Sequence, residues 1–198
     1  MKVYGDVWSG NCYKVKLVLT QLGLPFEWVP VDIMKSESRT PEFLAKNPNG
    51  RVPMLELDDG TCLAESNAIL WYLAEGTKLV PETRLARAQA LQWMFFEQYS
   101  HEPNIATSRY IMRYLGNPPE RKAALQARVE PGYAALGVME THLARNEWFA
   151  DGRYSIADIA LYAYTHCAGE GGFDLGRFPS VRAWLLRVAQ QPMHVGMG

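Results

Sequence analysis

The stretch SGNCYKVKLVL, residues 9–19, places a cluster of small residues directly before a helical pattern. Ahead of it, residues 2–7 are rich in apolar side chains, which predicts a first strand. The start of a helix leaves backbone N–H groups unpaired and carries partial positive charge, so it favours an anion. Ser9 and Cys12 at this junction are therefore either ordinary capping and packing residues or a hydroxyl and a thiol with a chemical role.

The composition is that of a globular protein with one large domain or two small ones. The chain has 198 residues, of which 48% are hydrophobic and 21% charged, and its net charge is −1. Such a balance gives no overall field for nucleic acid or an anionic membrane, and no apolar run approaches the roughly 20 residues of a membrane-spanning helix. No secretory leader is expected, because the N-terminus enters a strand pattern at once.

The cysteines indicate a reduced, cytoplasmic protein without a metal site. Cys12, Cys62 and Cys167 are odd in number and far apart. No C-x-x-C pair or cluster of histidine and cysteine is present, which disfavours both zinc and a disulfide framework. Cys62 and Cys167 are expected to be buried packing residues.

The pattern of predicted secondary structure changes after the first third of the chain. Residues 1–75 alternate strand and helix signals in the order βαβαββα, which predicts a mixed sheet, and residues 76–82 form a linker. Residues 83–198 contain only helical patterns, predicted at residues 84–115, 119–145, 155–168 and 179–190. The sequence Ser155-Ile-Ala-Asp158 is a capping box that fixes the start of a core helix.

Five short motifs occur in this order along the two halves. They are Tyr4-Gly5, Ser9-Gly10-Asn11, Asn47-Pro48-Asn49-Gly50-Arg51-Val52-Pro53, Leu63-Ala64-Glu65-Ser66-Asn67-Ala68-Ile69 and the capping box. Together they resemble the cytosolic glutathione S-transferases of bacterial type, similar to the phi, theta and beta-like classes. The pattern around Ser9 resembles the serine classes (phi, theta and delta-like), whereas the beta and omega-like classes use a cysteine near this position. The resemblance implies a thioredoxin-like domain at residues 1–75 that binds glutathione, and an all-helical domain at residues 83–198 that binds the second substrate.

The resemblance assigns a role to the cluster at the first helix. Ser9 would donate a hydrogen bond to the glutathione sulfur, and the helix N-terminus would add positive potential, so both would favour the thiolate. Asn11 either caps the helix, orients Ser9 or donates a second hydrogen bond. Cys12 is either a low-pKa thiol that forms a mixed disulfide with glutathione, as in the cysteine-using classes, or a thiol packed beneath the helix. Tyr4 is expected to pack in the strand.

The remaining glutathione contacts are also implied by the resemblance. A cis peptide between Val52 and Pro53 would turn the Val52 backbone toward the cysteinyl unit, with Arg51 at the rim. Ser66 would bind the γ-glutamyl carboxylate and Glu65 the free ammonium group. A further candidate, for the glycyl carboxylate, is Lys35, which could equally be a solvated surface residue.

The helical half is expected to supply the pocket for a hydrophobic electrophile. Trp8, Tyr110 and His101 are its candidate residues, and the aromatic-rich segment around residues 93–114 suggests a homodimer. The predicted function is glutathione conjugation of the detoxification type, with peroxide reduction by the same thiolate as a variant. Two alternatives remain open, namely a Cys12-dependent thiol–disulfide oxidoreductase or reductive dehalogenase, and a non-catalytic glutathione-binding protein.

Overall fold

A computed structural model describes all 198 residues, and the chain divides into two compact units. The first contains residues 1–77 together with residues 192–198, and the second contains residues 78–191. The sequence assigns the last seven residues to the helical half, and this is corrected by hydrogen bonds from Tyr13 Oη to Val195 O (2.7 Å) and from Lys16 Nζ to Gly196 O (3.2 Å). None of the helices has both the length and the apolarity needed to cross a membrane.

The first unit is a thioredoxin-like layer of one sheet and three helices. The elements are β1 (Lys2–Gly5), α1 (Gly10–Leu22), β2 (Glu27–Pro30), α2 (Pro41–Lys46), β3 (Met54–Glu56), β4 (Cys62–Ala64) and α3 (Ser66–Ala74). The predicted order βαβαββα is confirmed. The four strands lie in the order β2-β1-β3-β4, with β1 parallel to β2 and antiparallel to β3, and β3 antiparallel to β4.

Apolar residues at helical spacing over residues 13–22 predict a helix, and α1 has the broad apolar face that this pattern implies. It packs against α3, and its buried apolar side chains include Val15, Leu17 and Val18. The helix begins at Gly10, three residues earlier than the apolar pattern alone suggests, because Ser9 caps it. It ends where Gly23 adopts a left-handed conformation at φ +65°.

The second unit is a helical bundle around one fully buried helix. The helices are α4 (Arg84–Phe96), α5 (Glu102–Arg109), α6 (Lys122–Leu143), α7 (Ile156–Thr165) and α8 (Pro179–Ala189). Every residue of α7 is buried. The single helix expected over residues 84–115 is instead divided by π-helical turns at Glu97–His101 and Tyr110–Tyr114. A π turn inserts one extra residue without changing local propensity, so the sequence gives no signal for it.

The capping box at the start of α7 is confirmed. Ser155 Oγ accepts from Ala157 N, and Asp158 Oδ2 accepts from Ser155 N at 3.0 Å. The other oxygen of Asp158 accepts from Trp184 Nε1 at 2.9 Å, so the same carboxyl group also fixes α8. Since Asp158 is fully buried, this single side chain ties two helices of the core together.

Candidate active site

Ser9 occupies the N-cap of α1, directly after the turn that leaves β1. Its φ and ψ are −78° and 124°, and its Oγ accepts a long hydrogen bond of 3.4 Å from Cys12 N. The Ser9 amide donates to Asp6 O at 3.1 Å, which fixes the turn. An oxygen that accepts from the helix keeps its own proton, so the Ser9 hydroxyl can still donate to an anion at this helix end.

Cys12 does not offer a reactive thiol. The residue is 0% exposed, and a Cβ placed on Gly5 would lie 3.1 Å from its Sγ, so the thiol sits between α1 and β1. Burial raises the pKa of Cys12 to about 12, although a hydrogen bond with Ser9 lowers it slightly. The alternative of an exposed, low-pKa Cys12 was therefore wrong, because the thiol faces the core and is desolvated.

The loop before β3 is braced from both sides. Asn47 Nδ2 donates to Arg51 O at 2.8 Å, and Arg39 donates to Asn49 O at 3.0 Å. Gly50 has φ +60°, and a Cβ at that position would lie 2.9 Å from Ser38 O, so only glycine fits there. The motif Asn47–Pro53 is thus a tightly packed turn rather than a flexible connection.

The peptide between Val52 and Pro53 is cis, as the family resemblance implies. Pairing of β3 with β1 begins at Met54, so the backbone N–H and C=O of Val52 lie outside the sheet ladder. Two unpaired main-chain groups at a strand end can accept an extended peptide in the manner of an added strand.

A hydrogen-bond network joins the start of α3 to the start of α1. Ser66 Oγ donates to Asn11 Oδ1 at 3.2 Å. The ammonium group of Lys14, a residue that is 0% exposed, donates to Ser66 Oγ at 3.4 Å and to Asn67 Oδ1 at 3.5 Å. Two predicted site residues, Asn11 and Ser66, are therefore brought into direct contact. Sequence reasoning missed Lys14, although a lysine inside an apolar helix face is a signal that could have been noticed.

Glu65 stands at the rim of this network in an unusual backbone conformation. Its φ is +67°, a region that residues other than glycine seldom adopt, and its Oε1 accepts from Asn49 Nδ2 at 3.4 Å. The residue is exposed, whereas its neighbour Ser66 is buried. This turn leaves the carboxylate of Glu65 outside and the hydroxyl of Ser66 inside, so the pair can hold an ammonium and a carboxylate side by side.

Other predicted residues of the first unit lie apart from the network. Lys35 is exposed and forms an ion pair with Asp32 at 3.1 Å, and Arg51 is exposed at the surface of its loop. Tyr4 packs in the sheet as expected, because its hydroxyl donates to Glu56 at 2.9 Å and Lys46 lies over its ring.

The residues proposed for the electrophile pocket have different environments. Trp8 is 44% exposed, and a Cβ on Gly198 would lie 2.7 Å from its ring, so the tail of residues 192–198 approaches the Ser9 turn. Tyr110, in the second unit, is exposed beside Tyr114 with ring centroids 5.3 Å apart. His101 is fully buried and contacts Thr165 Oγ1 at 2.9 Å, so its assignment to a pocket surface was wrong.

Comparisons with known proteins agree with this geometry. Family models match at residues 8–75 (glutathione S-transferase, N-terminal domain) and at residues 104–192 (glutathione S-transferase, C-terminal domain). A glutathione S-transferase from Pseudomonas fluorescens superposes with a TM-score of 0.97 and is 58% identical, with 99% of this chain and 98% of that chain covered. Another solved relative, the glutathione transferase URE2P8 from Phanerochaete chrysosporium with oxidized glutathione, is 28% identical with a TM-score of 0.86, over 97% of this chain and 90% of that one.

Curated relatives give the same family and more than one activity. Glutathione S-transferase 3 from Zea mays is 34% identical over 97% of this chain and 90% of its own length. The disulfide-bond oxidoreductase YfcG from Escherichia coli is 30% identical over 92% of this chain and 87% of its own length. With both domains matched and relatives similar over nearly their whole length, the chain belongs to the glutathione S-transferase family.

Proposed function

We propose that this protein is a glutathione transferase that stabilises the thiolate of glutathione for attack on a small hydrophobic electrophile. The observation that carries the proposal is Ser9 at the N-cap of α1, with a hydroxyl proton still available. A charge-assisted hydrogen bond and the partial positive charge of a helix N-terminus both favour the ionised thiol. A larger thiolate fraction near neutral pH means faster nucleophilic attack.

The remaining groups of the first unit account for the rest of the tripeptide. The Val52 backbone would pair with the cysteinyl unit, Ser66 and the N-terminus of α3 would hold the γ-glutamyl carboxylate, and Glu65 would hold the ammonium group. We assign Arg51 to the rim of this site and Lys35 to the glycyl carboxylate. Both are exposed, and Lys35 would exchange its ion pair with Asp32 for the ligand. Trp8 and Tyr110 remain our candidates for contact with the electrophile, because both present exposed aromatic surface.

The protein is first tested for retention on immobilised glutathione. It is then assayed for conjugation of glutathione to a chlorodinitrobenzene. We expect an absorbance change that saturates in glutathione and is lost when glutathione is replaced by its S-methyl derivative, which has no thiol to ionise. Retention without turnover of this or any of a panel of epoxides, halides and hydroperoxides would favour the non-catalytic alternative.

Disulfide reduction by bound glutathione is a second candidate function. It is supported by the relative named as a disulfide-bond oxidoreductase, and it does not require Cys12, whose thiol is buried. The thiolate of glutathione at Ser9 would attack one sulfur of a disulfide, forming a mixed disulfide and releasing the other sulfur as a thiolate. The thiolate of a second glutathione would then attack the glutathione sulfur of the mixed disulfide. This breaks the mixed disulfide, releases the remaining thiol and forms glutathione disulfide. An assay with a small disulfide, coupled to glutathione reductase, separates this function from conjugation.

We also propose that the protein is cytoplasmic and forms a homodimer. In this dimer the first unit of one chain would pack against the long helices of the other. The support is a set of exposed apolar side chains on α4 and the π turn after it, with Phe95 70% and Tyr99 88% exposed. Three unpaired thiols fit a reducing compartment. Sedimentation at micromolar concentration tests the assembly, and the mass of a single chain would contradict it.

A further inference from the structure

Lys14 is a buried cation at the base of the proposed γ-glutamyl site. It belongs to α1, is fully buried, and shares that helix with buried apolar residues such as Val15 and Leu17. Lysine is seldom fully buried in a protein core, because removing an ammonium group from water is costly. Its position beneath Ser66 and Asn67 therefore calls for a physical explanation.

The explanation lies in the direction of the hydrogen bonds. An ammonium group has three donors and no acceptor, so both Ser66 Oγ and Asn67 Oδ1 must accept from Lys14. The hydroxyl proton of Ser66 must then point away from Lys14, and in this structure it is donated to Asn11 Oδ1. Asn67 has its oxygen turned toward Lys14, which leaves its amide N–H groups as the donors that face elsewhere.

We propose that Lys14 is a positioning residue that makes the γ-glutamyl site a set of donors and places positive charge behind them. With Lys14 in place, Ser66 can donate its proton to a carboxylate while its oxygen stays held from below. Without Lys14, the hydroxyl is free to rotate and the site loses its nearest buried cation. The ligand recognised is thus an α-carboxylate, and this inference rests on the proposed binding of glutathione in the first unit.

The experiment compares the binding of three ligands and measures no activity. Calorimetry measures the binding of glutathione and of γ-aminobutyryl-cysteinylglycine, which lacks only the α-carboxylate of the γ-glutamyl unit and so keeps the ammonium group, the thiol and the peptide backbone. In a third ligand the α-carboxylate is replaced by a carboxamide. Its affinity measures how much of the binding depends on the negative charge, which Lys14 should attract. No electrophile is present, so the result does not depend on conjugation.

We expect Lys14→Met to weaken the binding of glutathione by about tenfold or more, as the loss of one charge a few ångströms from a carboxylate predicts. Binding of the carboxamide and of the decarboxylated ligand should change by less than about threefold. Lys16→Met is the matched control, since Lys16 is in the same helix but donates to Gly196 O, and it should leave all three affinities unchanged. A purely structural role for Lys14 would weaken all three ligands equally, and that result overturns the proposal.

Two further measurements keep the proposal open to refutation if Lys14→Met does not fold. Lys14→Gln retains a donor without the charge and should lose the preference for the carboxylate over the carboxamide. In the wild-type protein, replacing the carboxylate by the carboxamide must itself weaken binding by about tenfold, and equal affinity overturns the proposal without any variant. A wild-type protein that binds glutathione with this preference but conjugates nothing would refute the transferase function and leave the role of Lys14 standing.

Discussion

Replacing Ser9 by alanine separates the catalytic role of this residue from its role as a helix cap. The cap hydrogen bond from Cys12 N is 3.4 Å long, so its loss should cost only about 0.5–1 kcal/mol of stability, the low end for N-caps. A hydrogen bond to a thiolate is worth about 1.5–3 kcal/mol, which corresponds to a rise of roughly 1–2 units in the pKa of bound glutathione. The variant should therefore fold and still bind glutathione with an altered thiol.

The effect on rate is smaller than the effect on ionisation. At a pH below both thiol pKa values, a rise of 1–2 units lowers the thiolate fraction by roughly ten- to a hundredfold. A less acidic thiol is also a better nucleophile once ionised, with a Brønsted coefficient of about 0.4–0.5, which returns nearly half of the loss on a logarithmic scale. Conjugation at a pH below both thiol pKa values should fall by about 3- to 16-fold. Above both pKa values the gap should close and then reverse, because the more basic thiolate of the variant is fully ionised there.

The assay is the ultraviolet absorbance of bound thiolate, titrated in parallel with kcat/KM across the pH range. Cys12→Ala is the control, because Cys12 is fully buried and its substitution should leave both titrations unchanged. An unchanged thiol pKa in Ser9→Ala would falsify the assignment of Ser9. If Cys12→Ala folds normally but loses activity, Cys12 takes part in the reaction and the role given to Ser9 is wrong.

Three other predictions follow from particular contacts. Ser66→Ala should raise KM for glutathione about tenfold with kcat nearly unchanged, since a carboxylate far from the sulfur contributes equally to the ground and transition states; steady-state kinetics at saturating electrophile measures this. Asp158→Ala should destabilise the fold by about 3–5 kcal/mol in urea unfolding, because two backbone N–H groups and an indole N–H lose their buried acceptor. The control for this variant is Asp174→Ala, which removes the acceptor at an exposed cap and should cost no more than about 1 kcal/mol. Alkylation of the native protein near neutral pH should modify the half-buried Cys62 before Cys12, since burial raises the pKa of Cys12 to about 12; mass spectrometry that found Cys12 modified first would contradict the described packing.

Local chemistry in the sequence was sufficient for much of the first unit. The order βαβαββα follows from short apolar runs separated by helical patterns and turn residues, and each strand pairs with a neighbour as the pattern allows. The caps at Ser9 and Ser155 are also local features, because each depends on a few residues that are adjacent in the chain and can be recognised from residue type and spacing. The cis peptide before Pro53 was expected from the family resemblance, since residue type alone allows an X–Pro bond to be cis or trans.

The sequence could not distinguish a reactive Cys12 from a packed one, and it gave no reason to join Lys14, Ser66 and Asn11. Residues 192–198 also carry no periodic pattern that would send them back to Tyr13 in the first unit. Each of these outcomes depends on contacts between residues about 50 to 180 positions apart, or on whether a helix turns a side chain inward against its sheet. Residue type sets what a group can do chemically, but burial and the direction of its hydrogen bonds are set by the elements that pack around it. Tertiary packing alone therefore decided that Cys12 is desolvated, that His101 lies in the core, and that a buried lysine stands behind the proposed carboxylate site.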